Sequence, residues 1–150
     1  MVTAVLIIDD DPGVRKMLST VLEDAGYLIE AVAEGKDAIK ACSKTPFDVA
    51  LVDIELPDTK GTELIAKLKK LQPRIITIIV TGRPSVENAI KAVNEKADAY
   101  LTKPIEVTEL LSTIAKLLHE KIAEYVHLFA EISRAKENTP IFKYQRPDRW

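Results

Sequence analysis

From residue 3 to residue 118, short apolar runs alternate with segments of helical spacing. The runs are TAVLII (3–8), YLIEAV (27–32), FDVALV (47–52), IITIIV (75–80) and DAYLT (98–102). The first, third and fourth are almost unbroken, as expected of parallel strands covered on both faces. Between them, residues 12–24 place Val14, Met17, Leu18, Val21 and Leu22 on one helical face. Asp11 stands where an N-cap belongs, Pro12 at the first helical position, and Gly26 where a C-terminal cap belongs. Later segments carry Ala38, Ile39 and Cys42, then Leu64, Ile65, Leu68 and Leu71, then Val86, Ala89, Ile90 and Val93. This alternation predicts an α/β fold, a doubly wound parallel sheet of five strands with right-handed crossovers. In such sheets, sites lie outside the carboxyl ends of the strands. Asp9 and Asp10 follow the first run, Asp53 the third, Thr81 the fourth, and Thr102 and Lys103 the fifth. All of them converge on one edge.

The last helical pattern outruns the sheet. Leu110, Leu111, Ile114, Leu117 and Leu118 suit a helix packed on the strands, but helical residues continue to about Lys136 without Gly or Pro. Leu111, Leu118, Tyr125 and Ile132 recur every seven residues, as do Ala115, Ile122 and Phe129. Together they form the seam of a coiled coil. The expected division is a domain over 1–119 and an extension over 120–150, helical first and ending in a basic, aromatic tail. Past residue 119 the stripe of Ile122, Tyr125, Phe129 and Ile132 needs a cover. The expected cover is a second copy, a homodimer through residues 119–136. In the competing arrangement Ile141, Phe142, Tyr144 and Trp150 fold back over the stripe.

Composition narrows the function classes. With 47% hydrophobic and 29% charged residues, the chain is globular rather than disordered. A net charge of −2 gives no electrostatic footprint for nucleic acid, which is not an expected partner. Cys42 stands alone, which excludes an internal disulfide and a multi-cysteine zinc site. No cationic and apolar leader and no membrane-length run is present, so a cytoplasmic protein is expected.

The candidate chemistry lies in Asp9, Asp10 and Asp11. Two carboxylates about 4 Å apart repel by roughly 4 kcal/mol at an effective dielectric near 20. Such acids point into water, cap a helix, or hold a cation. Asp11 serves the cap.

In this order along the chain, LIIDDDP, LVDIELPDTKG, IVTG and AYLTKP resemble the receiver domains of two-component response regulators. The resemblance covers residues 3 to about 119. It implies the flavodoxin-like strand order 2-1-3-4-5, here with an extended C-terminal helix. It also implies that Asp53 accepts a phosphoryl group from a histidine kinase or phosphotransfer protein. Mg²⁺ would be held by Asp10, Asp53 and the backbone carbonyl of Glu55, with Asp9 acting largely through water. Lys103 resembles the lysine that partners the acceptor, and the Lys103–Pro104 peptide is then cis. Thr81 resembles the switch hydroxyl and Tyr100 the switch aromatic. Gly82 would keep the pocket entrance small-walled, while Pro57 and Gly61 would shape the loop after the acceptor. Glu55 and Arg83, two residues beyond Asp53 and Thr81, would flank the path of attacking water. They are expected to pair across the pocket mouth and prolong the phosphorylated state.

The function implied is a signalling switch, not an enzyme acting on a separate substrate. One alternative is a receiver fragment of a longer response regulator or hybrid kinase. A second is a Mg²⁺-dependent phosphatase of the haloacid dehalogenase type, which needs a further acidic pair at the next strand end. A long helix follows Lys103 instead. A third, a degenerate receiver used only for binding, is countered by the presence of every switch residue.

Overall fold

The computed structural model describes residues 2–138. Five strands, β1 (Ala4–Ile8), β2 (Leu28–Val32), β3 (Val49–Asp53), β4 (Ile76–Thr81) and β5 (Ala99–Thr102), alternate with five helices. The helices are α1 (Pro12–Asp24), α2 (Gly35–Lys44), α3 (Gly61–Leu71), α4 (Val86–Asn94) and α5 (Val107–Asn138). All strand pairs are parallel, in the order β2-β1-β3-β4-β5. Of the tail expected from residue 138 onward, residues 139–150, including Ile141, Phe142, Tyr144 and Trp150, lie outside the described residues.

Every residue of β3 and β4 is buried, which accounts for their unbroken apolar runs. Side chains alternate across the sheet. Leu6, Ile8, Ala50, Val52 and Ile79 join Ala38, Cys42, Leu64, Ile65 and Leu68 in the core under α2 and α3. Val5, Ile7, Leu51 and Ile78 are equally buried outside that cluster, as are Leu18 and Leu22 of α1 and Leu110 and Ile114 of α5. The amino edge of the sheet is stitched by side chains. The Asp48 carboxylate accepts Ala4 N–H at 2.8 Å, and Asp98 accepts Thr77 N–H at 2.8 Å. Gln72 accepts Phe47 N–H at 2.9 Å and donates to the carbonyls of Cys42 and Thr45 at 2.9 and 2.7 Å.

The caps follow the sequence. Asp11 Oδ1 accepts the N–H groups of Gly13 and Val14 at 2.8 and 3.2 Å, starting α1. Gly26 ends it with a φ of 95°, a left-handed conformation that costs glycine little. At the end of α4, Lys96 takes the same conformation with a side chain in place, at a φ of 63°.

Two helices carry exposed apolar residues. Met17 on α1 is exposed. On α4, the apolar residues Val86, Ile90 and Val93 are 78%, 56% and 72% exposed, and Ala92 is the buried residue. Amphipathic spacing defines a stripe but not the side on which the fold places it.

The chain divides into two compact units, residues 1–115 and 116–150, with the division inside α5. In the second unit, Ile122, Tyr125, Val126, Leu128, Phe129 and Ile132 are exposed large apolar residues. Among the described residues, no helix is long and apolar enough to cross a membrane.

Candidate functional site

Strand register assembles the site. Ile8 pairs with Val52, Asp53 with Val80, and Thr81 with Thr102. The residues just past these rungs therefore leave the sheet at one edge. Asp9 and Asp53 are only 3% and 8% exposed, whereas Asp10 reaches solvent. One carboxylate oxygen from each of the three lies within 4.8 Å of the others.

One ammonium holds two of these acids. Lys103 Nζ donates to Asp9 Oδ2 at 2.7 Å and to Asp53 Oδ2 at 3.1 Å. The remaining oxygens take backbone donors: Asp11 N–H reaches Asp9 Oδ1 at 3.0 Å, and Glu55 N–H reaches Asp53 Oδ1 at 3.2 Å. Burial pushes the Asp53 carboxyl above its ordinary value; the Glu55 N–H and Lys103 pull it back, and the Asp9 charge adds to the rise. Burial works to lower the Lys103 pKa, but its bonds to Asp9 and Asp53 outweigh that and hold it raised. Lys103 thus binds two of three clustered acids, and the negative charge left over favours a further cation. Oxygen-only donors of this kind suit a hard divalent ion.

Around this centre, Lys103 N–H donates to the Thr81 carbonyl at 2.8 Å, tying the last two strand ends together. The Thr81 side chain is buried, and its hydroxyl oxygen accepts Arg83 N–H at 3.0 Å. The Lys103–Pro104 peptide is cis. Tyr100 packs against the core, and its hydroxyl is buried without a hydrogen-bond partner among the described residues. Gly61 lies so close to the Asp53 carbonyl that any Cβ would overlap it. At Gly82, by contrast, a Cβ would make ordinary contact with the Lys103 stem at 3.8 Å.

The expected ion pair between Glu55 and Arg83 is not made. Lys60 Nζ takes both Glu55 oxygens, at 3.0 and 2.9 Å. The Lys60 bond and charge hold the Glu55 carboxyl below its ordinary value, and Arg83 contributes only a weaker Coulombic effect. The reason is local: the backbones of Glu55 and Lys60 form an antiparallel bridge, which brings their side chains together. Arg15 is a further participant that periodicity did not single out. One turn into α1, it donates from Nη1 to the Asp9 carbonyl at 2.7 Å and steadies the loop carrying the acidic pair. Its place in a D-D-D-P-x-x-R run was the only available signal.

Comparison with known proteins agrees with this geometry. Residues 5–115 match the family model described as the response regulator receiver domain. Over 114 residues the chain is 32% identical to the probable transcriptional regulatory protein TcrX of Mycobacterium tuberculosis, covering 76% of this chain and 49% of TcrX. It is 29% identical to the transcriptional regulatory protein GlrR of Escherichia coli, covering 77% of this chain and 26% of GlrR. The chain thus spans half or less of the length of these curated relatives. Among solved structures, a CheY-like receiver domain protein from Methanospirillum hungatei superposes with a TM-score of 0.80 at 38% identity, covering 83% of this chain and 99% of that one. The BeF3-activated DrrB receiver domain gives 0.73 at 28% identity, covering 79% and 99%. With its sheet order, its strand-end acids and these matches in agreement, the chain belongs to the response regulator receiver domain family, the phosphorylation-activated switches of two-component signalling.

Proposed function

We propose that Asp53 is the residue phosphorylated in this receiver. The observation that supports it most is the double hold of Lys103 on Asp53 and Asp9, which places a cation where phosphoryl charge would arrive. An Asp53 oxygen forms the new bond to phosphorus as the donor's bond to phosphorus breaks. Asp9, Asp10, Asp53 and the Glu55 carbonyl are the groups to hold Mg²⁺, which when bound neutralises charge on the transferring group. Lys103 stays with the phosphoryl oxygens, Thr81 donates its hydroxyl to them, and Tyr100 answers the movement of Thr81. The donor is a histidine kinase or a phosphotransfer protein. The chain acts as a switch without a separate substrate, and a lone buried cysteine fits a cytoplasmic setting. Intact-mass measurement after incubation with Mg²⁺ and a small acyl phosphate tests the assignment. One phosphoryl adduct is expected, absent in Asp53→Asn; an adduct that persists in that variant overturns it.

We further propose that the extension of α5 makes a homodimer. Ile122, Tyr125, Phe129 and Ile132 keep heptad spacing and are exposed. Burying four such side chains gives about 1.5–3 kcal/mol each, before association entropy is subtracted. Sedimentation at micromolar concentration should show a dimer that Phe129→Asp dissociates. A monomeric parent unaffected by that change sinks the proposal.

A further inference from the structure

The segment between Asp53 and α3 is fastened at its base and at its tip. At the base, Gly61 N–H donates to the Ile54 carbonyl at 2.8 Å, and Glu55 and Lys60 are bridged through backbone and side chains. At the tip, Asp58 Oδ1 accepts Gly35 N–H at 2.9 Å and Asp58 Oδ2 accepts Lys36 N–H at 2.9 Å. These are the first amides of α2, donors that a helix leaves without internal partners. The N-cap residue of α2, Glu34, makes no side-chain cap bond, and its carboxylate pairs with Lys36 at 3.1 Å instead. Asp58, 22 to 23 residues further along the chain, is thus the cap of α2. The contact requires close approach: Gly35 is buried, and a Cβ there would press on the Thr59 methyl.

We infer that Asp58 is a positioning residue for the phospho-acceptor site. By capping α2 it pins the tip of the loop whose first turn presents the Glu55 N–H to Asp53 and carries the Glu55 carbonyl proposed above as a metal ligand. Without that pin the loop hangs from its base alone, and Glu55 is three residues from the released point. This inference rests on Asp53 as acceptor and on the Glu55 carbonyl as a metal ligand. Loss of a group hydrogen-bonded to a metal ligand typically costs ten- to a hundredfold in affinity or activity, and Asp58, which acts one step further out, is set at the low end of that range.

The test compares Asp58→Ala, Asp58→Asn and Gln72→Ala in the full chain. Gln72 makes three hydrogen bonds at the opposite edge of the sheet and serves as a control for lost stability. Mg²⁺ affinity is read by calorimetry, phosphoryl uptake by its initial rate from an acyl phosphate, and stability by denaturant unfolding. Asp58→Ala should weaken Mg²⁺ binding and slow uptake about tenfold. Asp58→Asn keeps one of the two oxygen acceptors and should recover only part of both, while Gln72→Ala should lose stability with both unchanged. Parental Mg²⁺ affinity and uptake rate in Asp58→Ala overturn the inference and leave Asp58 a helix cap only. Equal losses in Gln72→Ala also overturn it, because the effect then follows stability. If Asp58→Ala does not fold, Asp58→Asn against Gln72→Ala decides: a larger Mg²⁺ defect in the Asn variant supports positioning, and equal affinities overturn it. Persistence of the adduct in Asp53→Asn is a separate result that removes the acceptor assignment beneath it.

Discussion

Two helices leave the carboxyl edge of the sheet on either side of the site, and they are held in opposite ways. α3 follows the acceptor strand and buries Gly61, Thr62, Leu64, Ile65 and Leu68. The loop before it is bridged at Glu55 and Lys60 and pinned at Asp58. α4 follows the strand of Thr81 and buries only Ala92, with Val86, Ile90 and Val93 turned outward. Beneath that side the Tyr100 hydroxyl is buried and unpartnered among the described residues. Segments with few buried apolar contacts open and shift at low free-energy cost. The acceptor side is therefore built to stay put, and the Thr81 side is built to yield. A receiver needs both. Chemistry requires acids held within a fraction of an ångström, whereas signalling requires a surface that can change.

Substitution can break this contrast directly. The largest difference is expected between Leu64→Ala and Ile90→Ala in denaturant unfolding. Leu64 is fully buried, so its truncation should cost about 3–4 kcal/mol, whereas Ile90→Ala should cost under about 0.5 kcal/mol. Similar losses at both positions would show that α4 is held as firmly as α3. Gly61→Ala sharpens the point on the rigid side. Its methyl would overlap the Asp53 carbonyl, and backbone cannot rotate away, so a loss of about 2–3 kcal/mol is expected, with slowed phosphoryl uptake. On the yielding side, Tyr100→Phe removes a buried hydroxyl with no partner among the described residues and should stabilise the unphosphorylated protein by about 1 kcal/mol.

The smallest effect is one of pH. The N–H groups of Gly35 and Lys36 hold the Asp58 carboxyl below its ordinary 3.8. A carboxylate with a lowered folded-state pKa adds stability above its unfolded value and loses it as pH falls through the folded one. The advantage of the parent over Asp58→Asn should thus be constant above about pH 5 and shrink below 3.8. An advantage independent of pH down to the acid transition would show that the loop tip is held by something other than the Asp58 charge.

The sequence was informative where chemistry and topology coincide. Asp9, Asp10, Asp53, Thr81 and Lys103 stand at the ends of runs that alternate with helices, and the parallel sheet brings all such ends to one edge. The division of labour among the acids was partly legible too, since the D-P pair of Asp11 and Pro12 reads as a helix start. What the sequence did not reveal has a common physical cause: contacts whose partners have no period between them. The hold of Lys60 on Glu55 depends on a loop closing over five residues, and the Asp58 cap joins positions more than twenty apart. The grip of Lys103 on Asp9 as well as Asp53 follows from three-dimensional convergence rather than from any motif. The outward face of α4 was not legible because Val86, Ile90 and Val93 have the spacing of any apolar stripe, while small Ala92 gives almost no signal.

The ladder itself sets a rule about chain length. Asp53 is level with Val80, and Thr81 with Thr102, so the separations among acceptor, hydroxyl and ammonium are counted in rungs. Side chains can be exchanged in graded steps, but a rung cannot. Deleting one residue between Ile76 and Thr81 would turn each later side chain of that strand to the opposite face. It would take the Thr81 hydroxyl out of the site while leaving every site residue present in the sequence. Insertions and deletions are thus tolerable only in the loops, and a relative that carries every site residue but has gained or lost one within a strand would lack the site.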